Sequence, residues 1–105
     1  MLDESINRFI NELKSTPEFM EFKMRRDLLA QHPELKAKTG LYVREHYRLL
    51  ENTPTEDLFE AEKKFADEHE SIYNTPMIHE YLDSQAAFNR LLRDVLEQIT
   101  DGLSL

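Results

Sequence analysis

Apolar residues recur along almost the whole chain at the spacing of one face of a helix. In the first segment Leu2, Ile6, Phe9, Ile10 and Leu13 follow the i, i+4, i+7 pattern. The chain has only two glycines, fewer than the tight hairpins of a sheet usually need. The pattern therefore predicts an all-α protein.

Four prolines divide the pattern into segments: Pro17, Pro33, Pro54 and Pro76. Proline suits the first turn of a helix and interrupts a longer one, so these positions predict about five helices. We expect antiparallel helical hairpins, or a bundle, in one domain over residues 1–105. Thr16 and Thr55 are predicted N-caps, the helix after Thr55 is predicted to continue to a break at Asn74, and Gly102 is predicted to end the last helix.

Residues 16–22 and 75–81 resemble each other. In both segments Thr-Pro is followed by an apolar residue two positions after the proline, a glutamate at four and an aromatic at five. Two helices that share the chemistry of a helix start would give this pattern. The alternative is a pseudo-symmetric pair of hairpins that pack on each other.

The charge is acidic and unevenly distributed. The net charge is −8, and residues 51–70 carry eight carboxylates against two lysines. Such a chain should repel nucleic acid, so direct nucleic-acid binding is not expected. A run of basic residues could still form a local face, although a solvated helix surface is the ordinary interpretation. These residues are Lys23, Arg25, Arg26, Lys36, Lys38, Arg44 and Arg48.

No residue set suggests catalysis or a resident cofactor. The chain has no cysteine, which excludes disulfides, thiolate metal sites and a cysteine nucleophile. The four histidines include no i, i+4 pair and no Glu-x-x-His motif, and no serine lies in a nucleophile elbow. His46 and His69 lie on apolar stripes, so we expect core or interface positions. A metal or ligand site is the alternative if the two face each other.

Location and assembly follow from the same patterns. No apolar run approaches the roughly 20 residues of a membrane span, and residues 1–13 lack a signal-peptide pattern, so we expect a cytoplasmic protein. Ten aromatic residues exceed what a few short helices can bury, which favours a two-fold dimer. The candidate interaction surface comprises Met20, Met24, Tyr42, His46, Phe65, His69, Tyr81 and Phe88.

Several segments together resemble the YlbF/YmcA family of small helical regulators. In that family an Asn-Pro-type break precedes a helix whose pattern Tyr81, Leu82, Asn89, Leu91 and Leu92 match, with a departure at residues 85–88. Upstream, residues 16–23 resemble the family's Ser-x-Glu-Tyr-x-x-Tyr/Phe-Lys segment. Residues 32–35 resemble its Asp-Pro-Glu-Ala/Leu segment. The resemblance runs in the same order over nearly the whole chain.

This resemblance implies a non-enzymatic regulatory adaptor that acts by binding another protein. Family members are cytoplasmic helical bundles that dimerise, and some act in a complex that influences competence, sporulation and biofilm formation through mRNA processing. Those members bind iron–sulfur clusters through cysteines. Because this chain has no cysteine, that cofactor does not carry over. RNA-binding or metal- or ligand-binding bundles remain the alternative functions.

Overall fold

The computed structural model describes residues 1–105, and it contains six α-helices and no strand. The helices are α1 Leu2–Lys14, α2 Pro17–Ala30, α3 Pro33–Asn52, α4 Leu58–Glu68, α5 Glu70–Tyr73 and α6 Pro76–Gly102. A 3-10 helix, Thr55–Asp57, precedes α4. The all-α prediction is confirmed, and each of the four prolines stands at or next to a break between helices.

The helices form two compact units. Unit 1 comprises residues 1–27 and 81–105, and unit 2 comprises residues 28–80. Helices α2 and α6 cross the boundary, so each contributes residues to both units. The single-domain organisation over 1–105 stays a prediction.

Two helix starts follow the local chemistry that their sequences predict. The Thr16 hydroxyl accepts a hydrogen bond from the backbone N–H of Phe19 at 3.2 Å, which satisfies one of the free donors of α2 and confirms Thr16 as its N-cap. Pro33 occupies the first turn of α3, where the missing N–H costs nothing. These features fix where α2 and α3 begin.

Two boundaries differ from the prediction. Thr55 does not cap α4 but lies in the 3-10 helix, and Asp57 holds the N-cap position without a side-chain bond. The predicted continuous helix is divided at His69, whose ring nitrogen Nδ1 lies 2.9 Å from the Phe65 carbonyl oxygen. Helix α6 ends at Gly102, which confirms that prediction, and Ser104, at φ 57°, lies in the left-handed region.

Unit 2 is an antiparallel arrangement of α3 against α4 and α5. Leu50, near the end of α3, and Leu58, at the start of α4, line one hollow, whereas Tyr42, in the middle of α3, contacts Tyr73 of α5, with ring centroids 6.3 Å apart. Leu29, Phe65 and Ile78 are the buried apolar side chains of this unit. Thr39 is also buried, and its hydroxyl donates to the Leu35 carbonyl oxygen at 2.7 Å.

Unit 1 has an aromatic cluster but no buried apolar side chain. The ring of Phe22 lies 5.7 Å from Phe88 and 5.8 Å from Tyr81, which joins α2 to α6 in antiparallel order. Phe19 meets Phe88 edge-on at 5.4 Å. Phe22 and Tyr81 are the equivalent aromatic positions of the two similar segments, so the similarity includes two residues that pack on each other.

Candidate interaction surfaces

Helix α1 presents its apolar stripe to solvent. Leu2 is 74% exposed, Ile6 48% and Ile10 40%, and no residue of the helix is buried. Phe9 belongs to the same stripe and is 39% exposed. A helix of this amphipathic pattern ordinarily buries such a stripe against another element. The chain by itself does not supply that element.

The end of α6 carries a second exposed apolar stripe in unit 1. Leu92, Leu96, Ile99 and Leu103 are exposed, and they continue the helical spacing of the half-buried Leu91 and Val95. Leu103 lies just beyond the helix and is held by its backbone N–H, which donates to the Ile99 carbonyl oxygen. Unit 1 therefore holds two apolar stripes that lack a cover.

The eight residues of the predicted interaction surface divide equally between the units. Tyr81 and Phe88 belong to the aromatic cluster of unit 1, and Met20 and Met24 are exposed on α2. The other four, Tyr42, His46, Phe65 and His69, form an aromatic cluster in unit 2. That all eight bind a partner stays a prediction.

The unit 2 cluster is centred on Phe65. Its ring stacks against His69 at 4.0 Å and against His46 at 5.0 Å, and Tyr42 lies 5.2 Å away. Phe65 is buried, so it packs α4 against α3 and is not available to a partner without local opening. Both histidines contact this one ring, which is where the structure brings them together.

Two histidine–carboxylate pairs join α3 to α4 and to the residue that follows α4. The His46 Nε2 lies 2.5 Å from the Glu62 carboxylate, and the His69 Nε2 lies 2.9 Å from the Glu45 carboxylate. The His69 Nδ1 faces the Phe65 carbonyl oxygen, which can only accept a hydrogen bond. Since both neighbours of His69 are acceptors, the arrangement is satisfied when both ring nitrogens carry protons.

This geometry raises the pKa of two side chains, His69 and Tyr42. The bond to the Phe65 backbone, with the Glu45 carboxylate, raises the pKa of His69 above its usual 6.5 although burial opposes it. Burial raises the pKa of the Tyr42 hydroxyl, helped by Tyr73 and the charge of Glu62. The cationic form of His69 thus contributes to the packing of α3 on α4.

The structure gathers no group of three or more His, Asp or Glu side chains that could hold a metal ion. His46 and His69 each face a carboxylate, which engages the Nε2 of His46, and both ring nitrogens of His69 have an acceptor beside them. Of the predicted basic residues, Arg25 pairs with Glu21 at 2.8 Å and Arg26 lies 3.6 Å from Asp27. Both arginines therefore form ion pairs on the surface of α2.

One surface was not foreseen from the sequence. Leu50 at the end of α3 and Leu58 and Phe59 at the start of α4 line an open hollow of about 720 Å³ in unit 2. Phe59 is 80% exposed. The available signal was the helical spacing, because Phe59 lies beside the stripe formed by Leu58, Ala61 and Phe65 and not on it.

The structure therefore combines an all-helical fold with apolar stripes on α1 and α6 that face solvent. The chain is a member of the YlbF/YmcA family, described as control of the competence regulator ComK, whose family model matches residues 2–104. This confirms the resemblance in the sequence. No curated protein and no solved structure shows significant similarity to the chain. None of its helices combines the length and apolar character needed to cross a membrane.

Proposed function

We propose that this protein is a non-enzymatic, cytoplasmic regulatory adaptor that acts as a homodimer and binds another protein. The observation that carries the proposal is the exposed apolar stripe of α1. Membership of a family described by its control of a competence regulator supports a regulatory role. An RNA-processing or developmental complex is the setting in which we expect it to act.

The exposed area supports a second copy as the cover for unit 1. The chain exposes 8222 Å², whereas a folded monomer of 12.5 kDa should expose about 6200 Å². The excess of roughly 2000 Å² is larger than the ~800 Å² that each partner buries in a standard interface. A dimer interface of standard size on the stripes of α1 and α6 would remove about 800 Å² of this excess from each chain.

The weakness of the core in one chain supports the same conclusion. Only Leu29, Phe65 and Ile78 are buried apolar side chains, and all three lie in unit 2. Burial of large apolar side chains contributes about 1.5–3 kcal/mol each, so three are few for a chain of 105 residues. A second copy would supply buried area that the single chain lacks.

Light scattering after size-exclusion chromatography tests the dimer. The wild type is expected to have twice the mass of the chain at micromolar concentration. The double variant Ile6→Glu/Ile10→Glu places two carboxylates on the α1 stripe and should have the mass of one chain, because burying unpaired charges is costly. The matched control, Asn7→Glu/Asn11→Glu, adds the same charge beside the stripe and should stay dimeric.

Transcript profiling in the native host tests the regulatory role. A strain that lacks the gene should show altered transcript levels. The wild type and Asn7→Glu/Asn11→Glu should restore them, and Ile6→Glu/Ile10→Glu should not. A monomeric wild type would refute the dimer, and unchanged transcripts in the deletion strain would refute the regulatory role.

A further inference from the structure

A small pocket in unit 2 is lined by two tyrosine rings and two carboxylates. It lies where α3, α4 and α5 meet, and its volume of about 330 Å³ is within the range of small-molecule sites. We call it the tyrosine pocket, and its lining residues are Tyr42, Ala66, Asp67, Glu70, Tyr73 and Asn74. All six belong to unit 2, so the pocket is separate from the exposed stripes of unit 1.

The aromatic wall of the pocket comes from two helices. The rings of Tyr42 on α3 and Tyr73 on α5 have centroids 6.3 Å apart and are tilted by 31°. Both side chains are half-buried. A tyrosine ring attracts a cation that lies within about 6 Å of its centroid. The Tyr42 hydroxyl forms no hydrogen bond within the chain, so its oxygen can accept one from a ligand.

The wall formed by α4 and α5 is negatively charged. Asp67 and Glu70 are exposed, and neither forms an ion pair within the chain. Helix α4 ends at Glu68, so the carbonyl groups of its last turn, which includes Ala66 and Asp67, have no partner within the helix. The C-terminal end of a helix favours a cation. Rings, carboxylates and helix end therefore all favour a positively charged ligand.

The basic side chains near the pocket do not neutralise it. Lys64 lies 3.9 Å from Glu68, and Lys63 neither lines the pocket nor forms an ion pair. The His69 Nε2 lies 2.9 Å from the Glu45 carboxylate, which compensates a charge on that ring outside the pocket. The pocket is thus left with a net negative charge.

The acceptors in the pocket favour a cation that carries N–H groups. A primary ammonium group donates hydrogen bonds to carboxylates, whereas a quaternary ammonium group cannot. An anion would be repelled, and a neutral apolar ligand would cover the carboxylates without giving them a partner. A metal ion is a poor match, because the structure has no group of three or more His, Asp or Glu side chains that could hold one.

We propose that the tyrosine pocket binds a primary ammonium group on an alkyl chain, carried by a free polyamine or by a lysine side chain of another protein. The ammonium group donates hydrogen bonds to Asp67 and Glu70, and the alkyl chain lies along the rings of Tyr42 and Tyr73. This site goes beyond the proposed adaptor function and does not depend on the dimer.

Calorimetric titration of the full-length protein with small probes tests the proposal. Cadaverine presents the ammonium group as a free diamine, and Nα-acetyl-lysine methylamide presents it as a lysine side chain. Pentanediol and glutarate have the same chain length as cadaverine but are neutral and negatively charged. Both ammonium probes should bind, pentanediol and glutarate should not, and added salt should weaken the binding. Tighter binding of cadaverine assigns the site to a polyamine, and tighter binding of the lysine derivative assigns it to a protein side chain.

A matched pair of carboxylate variants assigns the binding to the pocket. Asp67→Asn/Glu70→Gln keeps the shape of both side chains and should weaken binding by about tenfold. Glu56→Gln/Glu60→Gln removes the same charge near the start of α4, outside the pocket, and should leave the affinity nearly unchanged.

A matched pair of tyrosine variants tests the aromatic wall. Tyr73→Leu should weaken binding by about two- to fivefold, because it removes one ring from beside the cation. Tyr47→Leu, at a 62% exposed tyrosine outside the pocket, should leave the affinity unchanged. Circular dichroism should show that each variant keeps its helices.

Several results would overturn the proposal. They are absence of binding by both ammonium probes at millimolar concentration, equal binding of pentanediol, and equal losses in the two carboxylate variants. Binding of the Nε-trimethylated lysine derivative as tight as that of the lysine derivative would refute a primary ammonium site. Ile6→Glu/Ile10→Glu should bind cadaverine like the wild type, so failure of the dimer and failure of the pocket are distinguishable.

Discussion

The two units differ in how their apolar side chains are buried. In unit 2, Phe65 is buried between α3 and α4, and two histidine–carboxylate pairs cross the same hairpin. In unit 1, α2 and α6 meet through Phe22, Tyr81 and Phe88, while α1 has no buried residue. The contrast indicates that unit 2 is stabilised mainly by its own contacts, whereas unit 1 lacks a cover for much of its apolar surface.

The largest expected effect comes from removing the centre of unit 2. Phe65→Ala should lower the free energy of unfolding by about 3–5 kcal/mol, because it deletes a buried ring and leaves a cavity. Urea denaturation followed by circular dichroism measures the loss. Phe59→Ala is the matched control, since that ring is 80% exposed, and its effect should stay within about 0.5 kcal/mol. Equal losses for the two variants would contradict the assignment of Phe65 as the core residue.

Hydrogen exchange measured at several protein concentrations distinguishes the two units. Amide hydrogen exchange in α1 should be fast in dilute protein and slow at high concentration, while exchange in α3 and α4 should change less. Association stabilises the folded form by about 2.7 kcal/mol when the free partner reaches about 100 times Kd, which sets the expected scale. In Ile6→Glu/Ile10→Glu, amide exchange in α1 should stay fast at high protein concentration. Uniform protection of α1 at every concentration would show that it needs no second copy.

The smallest effect concerns the pH dependence of unit 2. Since the pKa of folded His69 is raised, its cation stabilises the fold fully below the ordinary pKa of 6.5, and this contribution is lost as the pH rises through the raised value. At acidic pH the free energy of unfolding of the wild type should exceed that of His69→Gln by about 1 kcal/mol. The difference is modest because Glu45 is partly exposed. Denaturant titrations across that pH range measure the gap.

The control for this titration is His32→Gln, because the exposed His32 makes no side-chain cap bond. This variant leaves the Glu45–His69 pair in place, so it tests whether the change in stability belongs to that pair. A gap between wild type and His69→Gln that widens toward alkaline pH would reverse the sign and refute a stabilising imidazolium at His69.

The helices were predictable because their limits are set by local chemistry. Pro17, Pro33 and Pro76 stand in first turns, and Thr16 caps its helix through its own hydroxyl. The break at His69 was not predictable, since it coincides with a ring that bonds to the carbonyl of Phe65 and to Glu45, 24 residues away. The spacing of apolar residues predicts a helix, but it cannot predict a contact between residues so far apart in the sequence.

The surfaces were predictable only in part. The stripe of α1 follows from its spacing, but spacing shows that a face is apolar and not what covers it. The hollow lined by Leu50 and Phe59 was missed because the two residues lie on different helices and come together only when the hairpin closes. Tyr42, His46, Phe65 and His69 were predicted only as part of an interaction surface of eight residues. Their clustering around one buried ring required the structure.

The uncovered stripe of α1 also has a consequence for the abundance of the protein in the cell. If a second copy is what covers Leu2, Ile6 and Ile10, newly made chains remain substrates for chaperones and proteases until they meet one another. Pairing depends on the square of the chain concentration, so slow synthesis favours turnover and rapid synthesis favours survival. A regulator built in this way would respond to its own expression level with a threshold rather than in simple proportion.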